Sequence, residues 1–213
     1  MMAPKQSSDF ILEKTHSVPV IPVLVMNDVA IAEELARVLV GSGLTILEVT
    51  LRTPNAFAVI EAMAKVEGAI VAAGTVLNKQ QATRSISSGA QFLVSPGATD
   101  ALIDSAKIMN IPLLPGVATA SEIMCMSEKG FNFLKFFPAE INGGIAALNA
   151  FSSPFSNVQF CPTGGVNVNN ISDYLSLSNV PVVGGSWLVT QEDLQNKDWN
   201  NIEKKVKQLT HNH

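Results

Sequence analysis

One lysine of this 213-residue chain lies in its most aromatic stretch, where residues 132–140 read N-F-L-K-F-F-P-A-E. Phe133, Phe136 and Phe137 accompany Lys135, so the segment is typical of a buried strand. Lysine is rarely fully buried without a partner or a task. Burial among apolar rings disfavours the charged form of an amine, and an uncharged lysine can attack a ketone. The segment therefore makes Lys135 a candidate nucleophile.

A second candidate, Glu48, lies in the segment 45–53, which reads T-I-L-E-V-T-L-R-T. Because strand side chains alternate between faces, Glu48, Thr50 and Arg52 are expected on one face. A carboxylate that shares a cavity with Lys135 can carry protons to and from the intermediates of an amine-based reaction. The alternative is an internal ion pair that only fills the interior, with Arg52 as a rim charge.

Two glycine-rich segments, T-G-G at 163–165 and G-G-S at 184–186, indicate anion binding. Each follows a predicted strand near the end of the chain, where α/β barrels often bind phosphate. Backbone N–H groups approach a phosphate closely where no Cβ intervenes. The alternative is that both segments are ordinary tight turns. N-G-G at 142–144 is less specific and is also compatible with the start of a helix.

Eight short apolar runs that must position these residues are predicted as strands. The runs are nearly continuous rather than alternating, as in a parallel sheet that is buried on both faces. The predicted strands are 18–25, 45–51, 69–73, 91–95, 111–114, 132–136, 158–162 and 180–183. The predicted helices are 28–40, 55–65, 79–88, 100–109, 120–129, 144–151, 169–177 and 191–208, with an extra amphipathic turn at 7–14. Asp28 is the expected N-cap of the helix 28–40.

Eight uninterrupted strand–helix units predict one α/β domain, 1–213, folded as a (β/α)8 TIM barrel with a short extra N-terminal helix. An open doubly wound sheet would need a switch point and rarely has eight evenly spaced strands. In a barrel the carboxyl ends of the strands meet at one face, which is where active sites lie. Lys135, Glu48 and both glycine segments are therefore expected to converge there.

The composition argues against several classes of partner. A net charge of −4 and a pI near 5.3 give no basic footprint for nucleic acid. The longest apolar run, 18–26, is too short for a membrane span, and the N-terminal residues lack the apolar core of a signal peptide. We therefore expect a soluble cytoplasmic protein.

The cysteines and histidines predict no metal centre. Cys125 and Cys161 are too isolated for a disulfide framework or a zinc site, and both are expected to be small buried side chains. His16, His211 and His213 lie outside the predicted strand ends. No set of metal ligands is therefore expected, and the Lys135 amine is the group expected to carry out the reaction.

The strand-end motifs resemble, in order, those of the 2-keto-3-deoxy-6-phosphogluconate (KDPG) aldolase family, which also includes 4-hydroxy-2-oxoglutarate (KHG) aldolases. The motifs are L-E-V-T-L-R-T at 47–53, A-G-T at 73–75, V-S-P-G at 94–97, K-F-F-P-A-E at 135–140, C-P-T-G-G at 161–165 and G-G-S-W at 184–187. The likeness covers essentially the whole chain. The departures, such as Ala72 and Ile141, lie beside motif residues.

The resemblance implies a bacterial class I aldolase of the Entner–Doudoroff pathway, without metal or cofactor and usually a homotrimer. Lys135 would form the Schiff base and Glu48 would be the acid/base. The residues implied to hold the pyruvate part of the substrate are Arg52, Thr75, Thr163, Pro96 and Phe137. The residues implied to hold the phosphate are Gly164, Gly165, Gly185 and Ser186.

The expected reaction is reversible cleavage of KDPG to pyruvate and glyceraldehyde 3-phosphate, with KHG as a second substrate that yields pyruvate and glyoxylate. One alternative is an aldolase that prefers the galactonate-derived epimer. Another is a phosphate-binding barrel such as a sugar-phosphate epimerase or a phosphoribosyl isomerase, which would call for strand-end Asp, Cys or His groups. A third is a catalytically silent barrel that senses or stores a phosphorylated metabolite.

Overall fold

The computed structural model describes residues 1–210 as a curled parallel sheet with helices around it. The strands are β1 (Val20–Leu24), β2 (Ile46–Thr50), β3 (Ile70–Gly74), β4 (Phe92–Val94), β5 (Leu113–Leu114), β6 (Gly116–Val117), β7 (Phe133–Phe136), β8 (Gln159–Pro162) and β9 (Val183–Gly185). The helices are α1 (Pro4–Thr15), α2 (Ala32–Gly41), α3 (Ala56–Met63), α4 (Lys79–Ser87), α5 (Asp100–Met109), α6 (Ala120–Glu128), α7 (Gly144–Ser152), α8 (Ile171–Leu175), α9 (Gln191–Asn196) and α10 (Trp199–Thr210).

The sheet is TIM-barrel-like but consists of two parts rather than one eight-stranded barrel. Six strands follow the order β5-β4-β3-β2-β1-β9 and three follow the order β6-β7-β8, with every pair parallel. One isolated bridge, between Thr163 and Gly184, links the end of β8 to β9. The predicted strand 111–114 is in fact shorter, and Pro115 separates β5 from β6. Proline has no backbone N–H to donate, so the ladder breaks at this residue.

The alternation of β7 decides which side chains face the interior of the curled sheet. Phe136 packs outward in an aromatic cluster, with its ring 6.1 Å from that of Phe151 on α7 and 6.4 Å from that of Phe160 on β8. Lys135 is its neighbour in the strand and therefore points to the opposite side. Phe136 thus buries the outer face of β7, while the lysine projects inward.

The extra N-terminal helix is present as α1, and it binds the amino ends of two strands. The Ser7 hydroxyl donates to the carbonyl of Leu113 and accepts from its amide, at O···O and N···O distances of 3.2 and 2.6 Å. The Ser8 hydroxyl accepts from the amides of Asn132 and Phe133. Both serines are buried, so these bonds satisfy backbone groups that water does not reach.

Two predicted helix boundaries are wrong. Asp28 does not cap α2, since its carboxylate accepts from the amide of Ala30 in a turn and the helix begins only at Ala32. The predicted helix 191–208 is two helices, because Lys197 adopts the left-handed conformation with φ 51° and ends α9. The sequence does not indicate this helix end, because the residue is a lysine and not a glycine or a proline.

The prediction of two buried cysteines is wrong for one of them. Cys125 is exposed on α6, whose buried side chains are Ile123 and Met126, whereas Cys161 on β8 is buried.

Within residues 1–210, no helix has the length and apolarity to cross a membrane. The same residues contain no cluster of three or more His, Cys, Asp or Glu side chains suited to a metal. His211 and His213 lie outside the described residues.

Asp193 joins α9 to α10 through several hydrogen bonds. Its carboxylate accepts from the Lys205 ammonium at 2.6 Å and from the Asn201 amide group at 2.7 Å. The amide and hydroxyl of Thr190 also donate to it, at 2.8 and 2.7 Å. Burial by itself raises the pKa of Asp193, but these donors outweigh burial and lower the pKa to about 2.

Replacement of Asp193 by Asn should lower the free energy of unfolding by about 2 kcal/mol at pH 7. The pKa of Asp193 is lower in the folded state than in the unfolded state. The stabilisation by its carboxylate is therefore fully present above the unfolded pKa of about 4 and is lost as the pH falls toward 2. Urea unfolding should show the difference between wild type and variant shrink by about half at pH 3. Asp9→Asn, which removes an exposed pair with Lys5, is the control and should cost under about 0.5 kcal/mol. A difference that is constant with pH would contradict this account.

Candidate active site

One lysine and one glutamate are in direct contact inside the curled sheet. The Lys135 Nζ atom on β7 lies 3.0 Å from the Glu48 Oε1 atom on β2. Their side chains are only 6% and 3% exposed. The two strands are not hydrogen-bonded neighbours and belong to different parts of the sheet, so the contact crosses the interior. The structure thus brings together the two residues that the sequence singled out, at a distance that also suits a purely structural ion pair.

A glycine makes room for the glutamate. A Cβ atom at Gly74, the last residue of β3, would lie 2.3 Å from Glu48 Oε1 and 2.7 Å from its Cγ. No side chain other than hydrogen fits there while Glu48 keeps its position. Gly74 stands in the A-G-T motif, but its role was not predicted. A glycine inside a strand often marks such a close approach, and that signal was available in the sequence.

Arg52 and Thr75 meet at the carboxyl ends of the neighbouring strands β2 and β3. The Arg52 Nε atom donates to the Thr75 hydroxyl at 3.3 Å, and the guanidinium is exposed. Thr75 has φ 59°, a left-handed conformation that is unusual for a β-branched residue and is found most often at functional sites. Thr50, expected on the same face, is buried and donates to the Leu24 carbonyl.

The remaining residues implied for pyruvate binding differ in their surroundings. The Phe137 ring is half-buried, with its centroid 5.5 Å from Lys135 Nζ. Thr163 is buried at the end of β8, where Gly184 leaves space for its hydroxyl: a Cβ at position 184 would lie 2.3 Å from Thr163 Oγ1. Pro96 is half-buried after β4, and its backbone approaches Gly116, the register partner of Lys135 on β7.

The first glycine segment is an open loop with backbone donors. Gly164 and Gly165 have φ values of 96° and 88°, which side chains rarely adopt. Asn167 and Asn170 both donate to the Gly165 carbonyl, at 2.9 and 3.2 Å. Within the part of the chain that is described, the amides of Gly164 and Gly165 donate no hydrogen bond. Two free amides beside an exposed glycine are suited to an anion.

The second glycine segment is packed in a way that the sequence did not indicate. The Trp187 ring lies over the Gly185 α-carbon, where an added Cβ would come within 1.7 Å of the ring. Gly185 therefore makes room for an indole, whereas the sequence suggested room for a phosphate alone. Ser186, the next residue, is exposed. The G-G-S-W motif contained Trp187, but no pattern rule connects a tryptophan to a glycine two residues earlier.

The buried thiol beside the lysine is chemically inert. Cys161 is the register partner of Lys135 on the neighbouring strand. Burial raises the pKa of the Cys161 thiol to about 12, so it stays protonated at neutral pH. The amine is thus the nucleophile that this interior offers.

Comparison with known proteins agrees with this arrangement. Residues 11–205 match the family model described as KDPG and KHG aldolase. A KHG/KDPG aldolase of Escherichia coli K12 is 49% identical over 187 residues, which cover 87% of this chain and 88% of that protein. The chain belongs to the KDPG and KHG aldolase family, which confirms the resemblance seen in the sequence motifs.

Solved structures of two relatives have the same fold. KDPG aldolase of Legionella pneumophila, with pyruvate captured at low pH as a covalent carbinolamine intermediate, has a TM-score of 0.89 and 40% identity, and the match covers 98% of each chain. KDPG aldolase of Zymomonas mobilis ZM4, with 3-phosphoglycerate, has a TM-score of 0.88 and 42% identity, covering 93% of this chain and 94% of that one.

Substitution of Gly74 by Ala should lower kcat about 10- to 100-fold in an aldol cleavage assay. The methyl group would occupy the position of the Glu48 carboxylate, which then has to move away from the lysine. Gly41→Ala is the matched control, because a Cβ at that position has no atom within 4 Å. Equal kcat values for Gly74→Ala and the control would show that catalysis does not depend on the position that Glu48 has in this structure.

Proposed function

We propose that this protein is a class I aldolase that reversibly cleaves KDPG to pyruvate and glyceraldehyde 3-phosphate. The observation that carries the proposal is the 3.0 Å contact between Lys135 Nζ and Glu48 Oε1 inside the fold of an aldolase family. An amine and a carboxylate in contact supply a nucleophile and a proton carrier. The reaction needs no cofactor, since the covalent intermediate forms on Lys135 itself.

The first half of the reaction attaches the substrate to the enzyme. Lys135 transfers a proton to Glu48, and its free amine attacks the C2 ketone to form a carbinolamine. Glu48 returns a proton to the C2 hydroxyl, which leaves as water and gives the iminium. A carboxylate at hydrogen-bond distance from the amine is suited to both transfers.

The second half breaks a carbon–carbon bond. Removal of the C4 hydroxyl proton, through a water held by Glu48, cleaves the C3–C4 bond and releases glyceraldehyde 3-phosphate. The bonding electrons move into the iminium and give an enamine. Protonation at C3 restores the iminium, and water adds to C2 to release pyruvate and the protonated Lys135 amine from which the reaction started. Each proton that Glu48 accepts is given back, so the enzyme ends unchanged.

The two ends of the substrate are held by different groups. Arg52 and Thr75 would bind the pyruvate carboxylate, since a guanidinium is suited to two-pronged recognition and the two residues already contact each other. Pro96, Phe137 and Thr163 would line the same part of the cavity. The phosphate would be bound by the amides of Gly164 and Gly165, together with Gly185 and Ser186.

KHG is a second substrate under this proposal, with glyoxylate as the aldehyde product. Support comes from the family, whose model and curated relatives include KHG aldolase in their names. The Lys135–Glu48 pair acts only on the 2-keto acid end, which KDPG, KHG and the galactonate-derived epimer share. Contacts around the phosphate and the C4 hydroxyl therefore decide among these substrates.

We also propose that residues 1–213 form one domain and that the two parts of its sheet together close into a (β/α)8 barrel. The Thr163–Gly184 bridge supports closure on one side, and the hydrogen bond from the Lys135 amide to the Pro115 carbonyl, at 2.9 Å, supports it on the other. A cytoplasmic homotrimer is proposed from the family resemblance. Exposed apolar side chains such as Ile141 and Val168 are candidates for its subunit contacts.

Kinetics of three variants test this function. With pyruvate release coupled to lactate dehydrogenase, wild type should cleave KDPG, and Lys135→Met should show no turnover because no Schiff base can form. Glu48→Gln should keep the adduct-forming lysine and lose about 10²- to 10⁴-fold in kcat. Lys79→Met, which removes an exposed lysine, is the control and should match wild type. Turnover by Lys135→Met at the wild-type rate would exclude the mechanism, and substrate binding without turnover in wild type would indicate a silent barrel instead.

A further inference from the structure

A carboxylate outside the Lys135–Glu48 pair has a buried partner. The Glu140 side chain, at the end of the K-F-F-P-A-E motif, accepts a hydrogen bond from the hydroxyl of Tyr174 on α8. Tyr174 is fully buried and is the only tyrosine of the chain. Burial and the neighbouring carboxylate both raise its pKa, so the hydroxyl remains a donor at physiological pH. The mechanism described above uses neither residue.

Glu140 is also in contact with the loop that carries Gly164 and Gly165. Its amide donates to the Gly164 carbonyl at 3.1 Å. Its side chain covers the Gly165 α-carbon, since a Cβ there would lie 2.3 Å from Glu140 Cγ. The backbone and the side chain of one residue therefore hold both glycines whose amides are free.

A third glycine leaves room for the Glu140–Tyr174 contact. A Cβ at Gly144, the first residue of α7, would lie 2.8 Å from Glu140 Oε1 and 2.9 Å from the Tyr174 hydroxyl. Three segments thus meet at this hydrogen bond: the 3-10 turn Glu140–Asn142 after β7, the start of α7 and the helix α8. This packing explains the second glycine of N-G-G at 142–144, a segment that the sequence left open between a phosphate loop and a helix start.

We infer that Glu140 and Tyr174 are positioning residues that hold the loop 163–165 in the shape needed for phosphate and thereby favour phosphorylated substrates. The inference rests on the proposed function. Neither side chain is in contact with Lys135 or Glu48 through the interactions of the described residues. Their loss should therefore weaken recognition of the phosphate and leave the chemistry at the keto acid end intact.

The effect should separate the two substrates of the family. In Tyr174→Phe and Glu140→Ala, KM for KDPG should rise about tenfold with little change in kcat, because a hydrogen bond to a charged group is lost. KM for KHG, which has no phosphate, should stay within about twofold by the same reasoning. Glu140→Gln keeps an oxygen that can accept from the phenol, so it should restore most of the affinity for KDPG.

Two controls distinguish positioning from a general loss of structure. Ser176→Ala removes a hydroxyl just beyond α8 that donates to the Asp173 carbonyl, and it should leave both KM values unchanged. Because Tyr174 is the only tyrosine, a titration of tyrosinate absorbance reports on its hydroxyl alone. Loss of the carboxylate in Glu140→Ala should lower the pKa of Tyr174, and Glu140→Gln should have a smaller effect.

The outcomes are separable. A wild-type enzyme that cleaves KDPG, with variants that raise KM for KDPG and KHG equally or for neither, would overturn the inference and leave the proposed function in place. A wild-type enzyme that cleaves neither substrate would overturn the proposed function first. A selective rise in KM for KDPG, together with the shift in the tyrosine titration, is the result we expect.

Discussion

The burial of one lysine and one glutamate side chain in contact is the constraint on which the rest of this structure depends. Removing two charges from water is costly, and the attraction between them offsets that cost only when the geometry is good. Lys135 and Glu48 satisfy this by meeting across the interior at 3.0 Å. A fold that places them there must leave space for both side chains and must fix both strands, and several otherwise unrelated features serve these needs.

Glycine is the main device by which the space is left. Gly74 gives room to the Glu48 carboxylate, Gly184 to the Thr163 hydroxyl and Gly165 to the Glu140 side chain. In each case a functional or supporting side chain lies over a backbone position that has no Cβ. Aromatic rings fill space instead, since Phe136 and its partners on α7 and β8 cover the outer face of β7. The outer face of β7 is therefore packed, while Lys135 faces Glu48 in the interior.

Much of this arrangement could be predicted from the sequence because strands alternate and parallel strands end at a common edge. Those two rules were enough to predict that Lys135 and Glu48 lie in the same interior. What could not be predicted is how particular side chains pack. The ring of Trp187 over Gly185, the Tyr174–Glu140 bond and the exposure of Cys125 leave no local pattern. Pro115 is a local signal for the end of β5, but the short strand Gly116–Val117 after it was not predicted.

The proposed chemistry requires a covalent bond between the Lys135 amine and a 2-keto acid. Incubation of the wild-type protein with pyruvate and borohydride, followed by peptide mass mapping, tests it directly, because reduction makes a Schiff base irreversible. We expect one adduct per chain, on the peptide that contains Lys135, and loss of aldolase activity in step with its formation. An unmodified Lys135, or labelling spread over surface lysines while Lys135 stays free, would contradict a Schiff-base mechanism and make the Lys135–Glu48 contact a structural ion pair.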